Sequence, residues 1–85
     1  MPKSWENCRI NFTRHWFERA YDRGFPDEIL NNAVYEGNKK KLNREVNGRR
    51  YELSYTDKRD GTIWKMEVLK GKCFIQLITV IKIHE

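Results

Sequence analysis

His15, Arg19 and Arg23 stand four residues apart, so on a helix they fall on one stripe, a turn apart. An imidazole beside two guanidiniums is a combination that can cleave a phosphodiester of RNA without metal. The 2′-oxygen attacks the adjacent phosphorus, a general acid/base moves protons, and cations offset the charge growing on the non-bridging oxygens. Histidine suits the first task because its ordinary pKa lies near neutrality, and arginine the second because its planar fork matches a phosphate. Thr79, the one hydroxyl within Leu77-Ile78-Thr79-Val80-Ile81, is the candidate to orient that phosphate. A solvated helix face, with Glu18 and Asp22 balancing the arginines, accounts for the same stripe. An ordinary strand threonine accounts for the same hydroxyl.

The net charge of +5 is concentrated in one segment. Residues 38–50 hold Lys39, Lys40, Lys41, Arg44, Arg49 and Arg50 against a single acid, Glu45. Such a cluster suits a phosphate-rich partner, RNA above all, and these six residues are the candidate backbone contacts. A connector kept polar because nothing packs on it reads the same way. Trp64 and Tyr55 are candidates to stack on bases, although aromatics at strand spacing also build cores.

Other chemistries lack their motifs. Cys8, His15, Cys73 and His84 show no metal-ligand spacing, so no metal and no cofactor is expected. The chain has no glycine-rich phosphate loop, no nucleophile elbow and no pair of carboxylates placed for acid/base work. Cys8 and Cys73 read as two reduced thiols, mostly buried. The start, Met1-Pro2-Lys3-Ser4-Trp5-Glu6, is not that of a signal peptide, and Phe74–Ile83 is too short to span a bilayer. A cytoplasmic protein without membrane attachment is expected.

The elements that must position these residues follow from periodicity. Eighty-five residues, 39% of them hydrophobic and 13% aromatic, suit a single domain, 1–85. Residues 1–12 are irregular or a short strand, with 8–12 a candidate for a sheet edge. Thr13 is a helix N-cap and Gly24 ends that helix in the left-handed conformation. Pro26 at a first helical position, then Asp27 and Glu28, start a second helix with Ile29, Leu30, Ala33 and Val34 on one face, stopped by Gly37. After the basic connector the period becomes two: Tyr51, Leu53 and Tyr55, then Trp64, Met66 and Val68. Turns fall at Asn47-Gly48, Asp60-Gly61 and Lys70-Gly71-Lys72, and the run from Cys73 to Lys82 is apolar enough to lie centrally. The expected fold is α+β: two N-terminal helices packed on one side of an antiparallel three- to four-stranded meander, ααβββ. Trp16, Ala20, Leu30, Val34, Leu53, Trp64, Met66 and Leu77 should share its core.

The order Phe12-Thr13-Arg14-His15, then Arg19 and Arg23-Gly24, then Pro26-Asp27-Glu28-Ile29-Leu30 leading to Ala33 and Gly37, resembles a widespread, poorly characterised microbial family. Its members open a helix pair with T-x-H-x3-R-x3-R-G and close a small meander with an apolar strand containing T-V, matched here by Thr79-Val80. The family is similar in layout to small ribonuclease toxins of the colicin D and RelE type. The resemblance spans roughly residues 11–82, and Pro26 departs from it where members carry a small N-capping residue. It implies a toxin-like, metal-independent ribonuclease with RNA as substrate and a cognate inhibitor protein. His15 would be the general acid/base, Arg19 and Arg23 the stabilising cations and Thr79 the phosphate-orienting group. A non-catalytic nucleic-acid-binding module, or a protein-interaction module whose sheet edge pairs with a partner strand, fits the same scaffold.

Overall fold

The computed structural model describes Trp5 and residues 8–83. His84 and the N-terminal residues read for a signal, Trp5 apart, lie outside the described residues. In chain order the elements are β1 (Arg9–Phe12), α1 (Arg14–Arg23), a 3-10 turn (Asp27–Ile29), α2 (Leu30–Glu36), β2 (Asn38–Glu45), β3 (Gly48–Thr56), β4 (Ile63–Lys70) and β5 (Phe74–Ile83). The strands form one sheet in the order β1-β5-β4-β3-β2. β1 runs parallel to β5, and the other neighbours are antiparallel.

The α+β class stands, but the ααβββ arrangement does not. A strand precedes the helices, and the sheet is mixed and five-stranded rather than an antiparallel meander of three or four. The strand absent from that expectation is β2, which occupies the basic stretch that reads in sequence as a connector. It is an edge strand whose residues are mostly exposed, so it carries lysines in place of alternating apolar residues.

Local chemistry sets the helix ends. The Thr13 hydroxyl accepts the Trp16 amide at 3.0 Å and donates to the Leu77 carbonyl at 2.9 Å, so the cap of α1 is also its tether to β5. Gly24 takes φ 68° and ψ 36°, and its N–H closes the last turn on Ala20 and Tyr21. Pro26 sits one place before the second helical segment, with extended backbone and no side-chain cap, and that segment opens as the 3-10 turn. The β3–β4 loop is tied to this start. Buried Asp57 pairs with Arg59, which also reaches Glu28. The Arg59 guanidinium holds the Asp57 carboxyl below the usual range.

Both helices cover one face of the sheet, α1 over β5 and α2 over β3. Trp16, Ala20, Val34, Leu53, Trp64, Met66 and Leu77 are buried in one cluster, with Leu30 packed partly buried against it. Phe25 stands edge-on between Trp16 and Trp64, its centroid 5.6 Å and 5.0 Å from theirs. Cys8 is buried and Cys73 exposed, so the expectation of two buried thiols fails at Cys73. No helix among the described residues is long and apolar enough to cross a membrane.

One irregularity matters for function. Between β4 and β5, Glu67 opposes Thr79 while Val68 opposes Leu77, leaving Ile78 as a bulge. Counting by twos from buried Leu77 puts Thr79 on the helix side, but the bulge shifts the phase. Val80 is the next residue buried beneath the helices, and Thr79 faces the other way.

Candidate nucleic-acid interface

On α1, His15 and Arg19 are exposed, and Arg19 Nε donates to His15 Nε2 at 3.4 Å. Arg23 lies one turn further along, half-buried. Thr79 does not join them. Its row, Thr79–Glu67–Glu52, looks away from the helices into a shallow depression shared with Leu42, Lys65 and Ile81. The two carboxylates beside that hydroxyl are engaged by Arg50 and Lys65, and the sheet separates it from the imidazole. The structure therefore does not bring His15 and Thr79 onto one phosphate. Trp64 is buried, so it is a core residue and not a stacking platform, and Tyr55 is partly buried against the core, away from the basic segment's row.

The six basic residues of 38–50 divide by face. Lys39 donates from Nζ to the Tyr35 and Gly37 carbonyls, 3.0 Å each, closing the C-terminal end of α2. Lys40 opposes Glu52 on the face away from the helices. Arg50 shares that face and pairs with Glu45 and Glu67, whose carboxylates raise its pKa further. Lys41 opposes Tyr51 on the helix-bearing side. Arg44 and Arg49 stand directly opposite each other there, and Arg49 directly opposes Lys70.

Arg44, Arg49 and Lys70 thus form one cross-strand row of like charges. Opposed like charges destabilise a sheet, and an anion lying across them removes the repulsion. The row opens onto a cleft of about 640 Å³ at the end of the sheet, where the β2–β3 and β4–β5 turns meet. Lys72, Tyr51 and Phe74 also line it, and Glu45, its one acid among the described residues, is already paired with Arg50. Trp5 stands edge-on to Tyr51 at 5.1 Å, with Lys39 Nζ 4.9 Å and Lys70 Nζ 5.7 Å from its ring centroid. Gly48 and Gly71 allow the two turns to pack closely there. A Cβ on Gly48 would strike the Lys70 carbonyl, and one on Gly71 the Phe74 ring.

No family model, curated protein or solved structure matches the chain.

Among the described residues no group of three His, Cys, Asp or Glu side chains gathers as a metal set. The cleft residues missed in the sequence are Tyr51, Lys70, Lys72 and Phe74. A signal for two of them was present. In consecutive antiparallel hairpins every second turn returns to the same end of the sheet. The basic turn at Asn47-Gly48-Arg49-Arg50 and the one at Lys70-Gly71-Lys72 are such a pair.

Proposed function

We infer that this protein binds RNA without cleaving it, holding the sugar-phosphate backbone across the row Arg44–Arg49–Lys70. The observation that carries this reading is that row of three directly opposed cations beside aromatic walls. Its cations bond phosphate oxygens whatever the sequence, and Tyr51 and Phe74 offer ring surface to an unpaired base. The concentration of charge in residues 38–50 supports RNA as the anion, as does the resemblance of the α1 motif to a poorly characterised microbial family similar in layout to ribonuclease toxins. The separation of Thr79 from His15 favours binding over chemistry.

The test is a titration of the 15N-labelled protein with a single-stranded RNA decamer in chelator. Resonances of Arg44, Arg49, Tyr51, Lys70 and Lys72 should move, and the RNA should remain intact on a denaturing gel. Shifts confined to His15, Arg19 and Arg23, or cleavage that His15→Ala removes, would replace this reading by the ribonuclease one.

A further inference from the structure

β5 is ten residues long, and β1 pairs only with Phe74 to Leu77. Thr13 then holds the Leu77 carbonyl through its amide and its hydroxyl, and the chain leaves the sheet as α1. Among the described residues no strand lies against β5 on that side from Thr79 to Ile83.

Along a strand, the face a side chain takes and the side its backbone groups point to are locked together. Leu77 has its side chain under the helices and its carbonyl toward β1. Past the bulge, Val80 and Lys82 share that phase. The N–H and C=O groups of both residues therefore point out of the open edge, a ready template for another strand. The opposite edge, β2, is protected by Lys40, Lys41, Arg44 and a register shift between Lys41 and Arg44.

Apolar side chains flank the open edge on both faces. Phe12, where β1 stops, is 42% exposed and lies 5.0 Å from Phe17, itself 56% exposed. Ile81, 41% exposed, is on the other face. The exposed charges of the edge strands here, Arg9 and Lys82, are both positive. Two copies of a chain carrying +5 repel each other, whereas an acidic segment is attracted.

We propose that the edge of β5 beyond Leu77 takes an extended segment of a partner protein, alternating apolar and acidic residues, as a sixth strand in line with β1. Apolar side chains of that segment meet Ile81 on the face away from the helices, and the alternate acids face Lys82 on the helix-bearing side. This surface is separate from the basic cleft and does not depend on RNA binding.

The test uses the 15N-labelled full chain at moderate salt, where the attraction of Lys82 for an acid persists, and a heptapeptide alternating glutamate and valine. Amide exchange at Val80 and Lys82 should slow about tenfold near saturation. Lys82→Pro removes an outward N–H at an edge, where proline is tolerated, and should abolish the effect. A backbone N-methylated peptide of the same sequence should not bind, a control that needs no variant to fold. Absent protection, equal binding of the methylated peptide, or protection without peptide that tracks a dimer in sedimentation would each overturn the proposal.

Discussion

Thr13 joins two levels of the fold, so its replacement has a magnitude that can be worked out. Its hydroxyl caps α1 through the Trp16 amide and bonds the Leu77 carbonyl. Loss of a threonine cap costs about 1 kcal/mol, and loss of the hydrogen bond to β5 about 1 kcal/mol more. The Leu77 carbonyl keeps the Thr13 amide at 3.3 Å, so no buried acceptor is orphaned and the sum is not exceeded by much. Thr13→Ala should therefore lose about 2 kcal/mol, a fall in Tm of roughly 8–16 °C for a domain of this size. Thr13→Ser keeps both bonds and should recover most of the loss. Urea unfolding followed by tryptophan fluorescence reads both. Serine as damaging as alanine, or alanine within about 0.3 kcal/mol of wild type, would refute the double role given to the hydroxyl.

Trp16→Ala empties the site between Phe12, Phe17 and Phe25 and should cost about 3–5 kcal/mol in the same assay. Asp57→Asn should destabilise at neutral pH by uncoupling Arg59. The depressed folded-state pKa of Asp57 means its contribution is complete above the unfolded value of about 3.9 and fades as pH falls below it. The wild-type and variant stability curves should thus converge in strong acid, and a gap constant with pH would contradict the charge pairing. His15→Ala removes an exposed side chain bonded, among the described residues, to Arg19 alone, so stability should change by less than about 0.5 kcal/mol. RNA affinity should be unchanged as well, as anisotropy of a labelled oligonucleotide can check.

Local signals were readable in the chain where the decisive interaction is local. The Thr13 cap on Trp16 and the Gly24 stop rest on neighbours within a few positions, and the local apolar period of the helices and of β3 and β4 marks the core set although its contacts are long-range. β1 is four residues held by a partner about 65 positions away, so the sequence offers 8–12 as a candidate edge strand but not its parallel pairing with β5. β2 hid because an edge strand rich in lysine looks like a solvated loop. The misplaced member of the candidate site, Thr79, turned on the single bulge at Ile78, which reverses every side chain beyond it. The basic segment was visible as charge, but its division between two faces was not. Register with β3 alone turns Lys40 away from Arg44 and Arg49.

The salt dependence of RNA binding tests the central claim most directly. For single strands log K falls with log salt by about 0.7 per phosphate contact, so Arg44→Gln, Arg49→Gln and Lys70→Gln together should flatten the slope by about two units. Lys40→Gln, on the face away from the cleft, should leave it unchanged. A folded triple variant with the wild-type slope, or a Lys40 variant that flattens it equally, would contradict an interface built on the row Arg44–Arg49–Lys70.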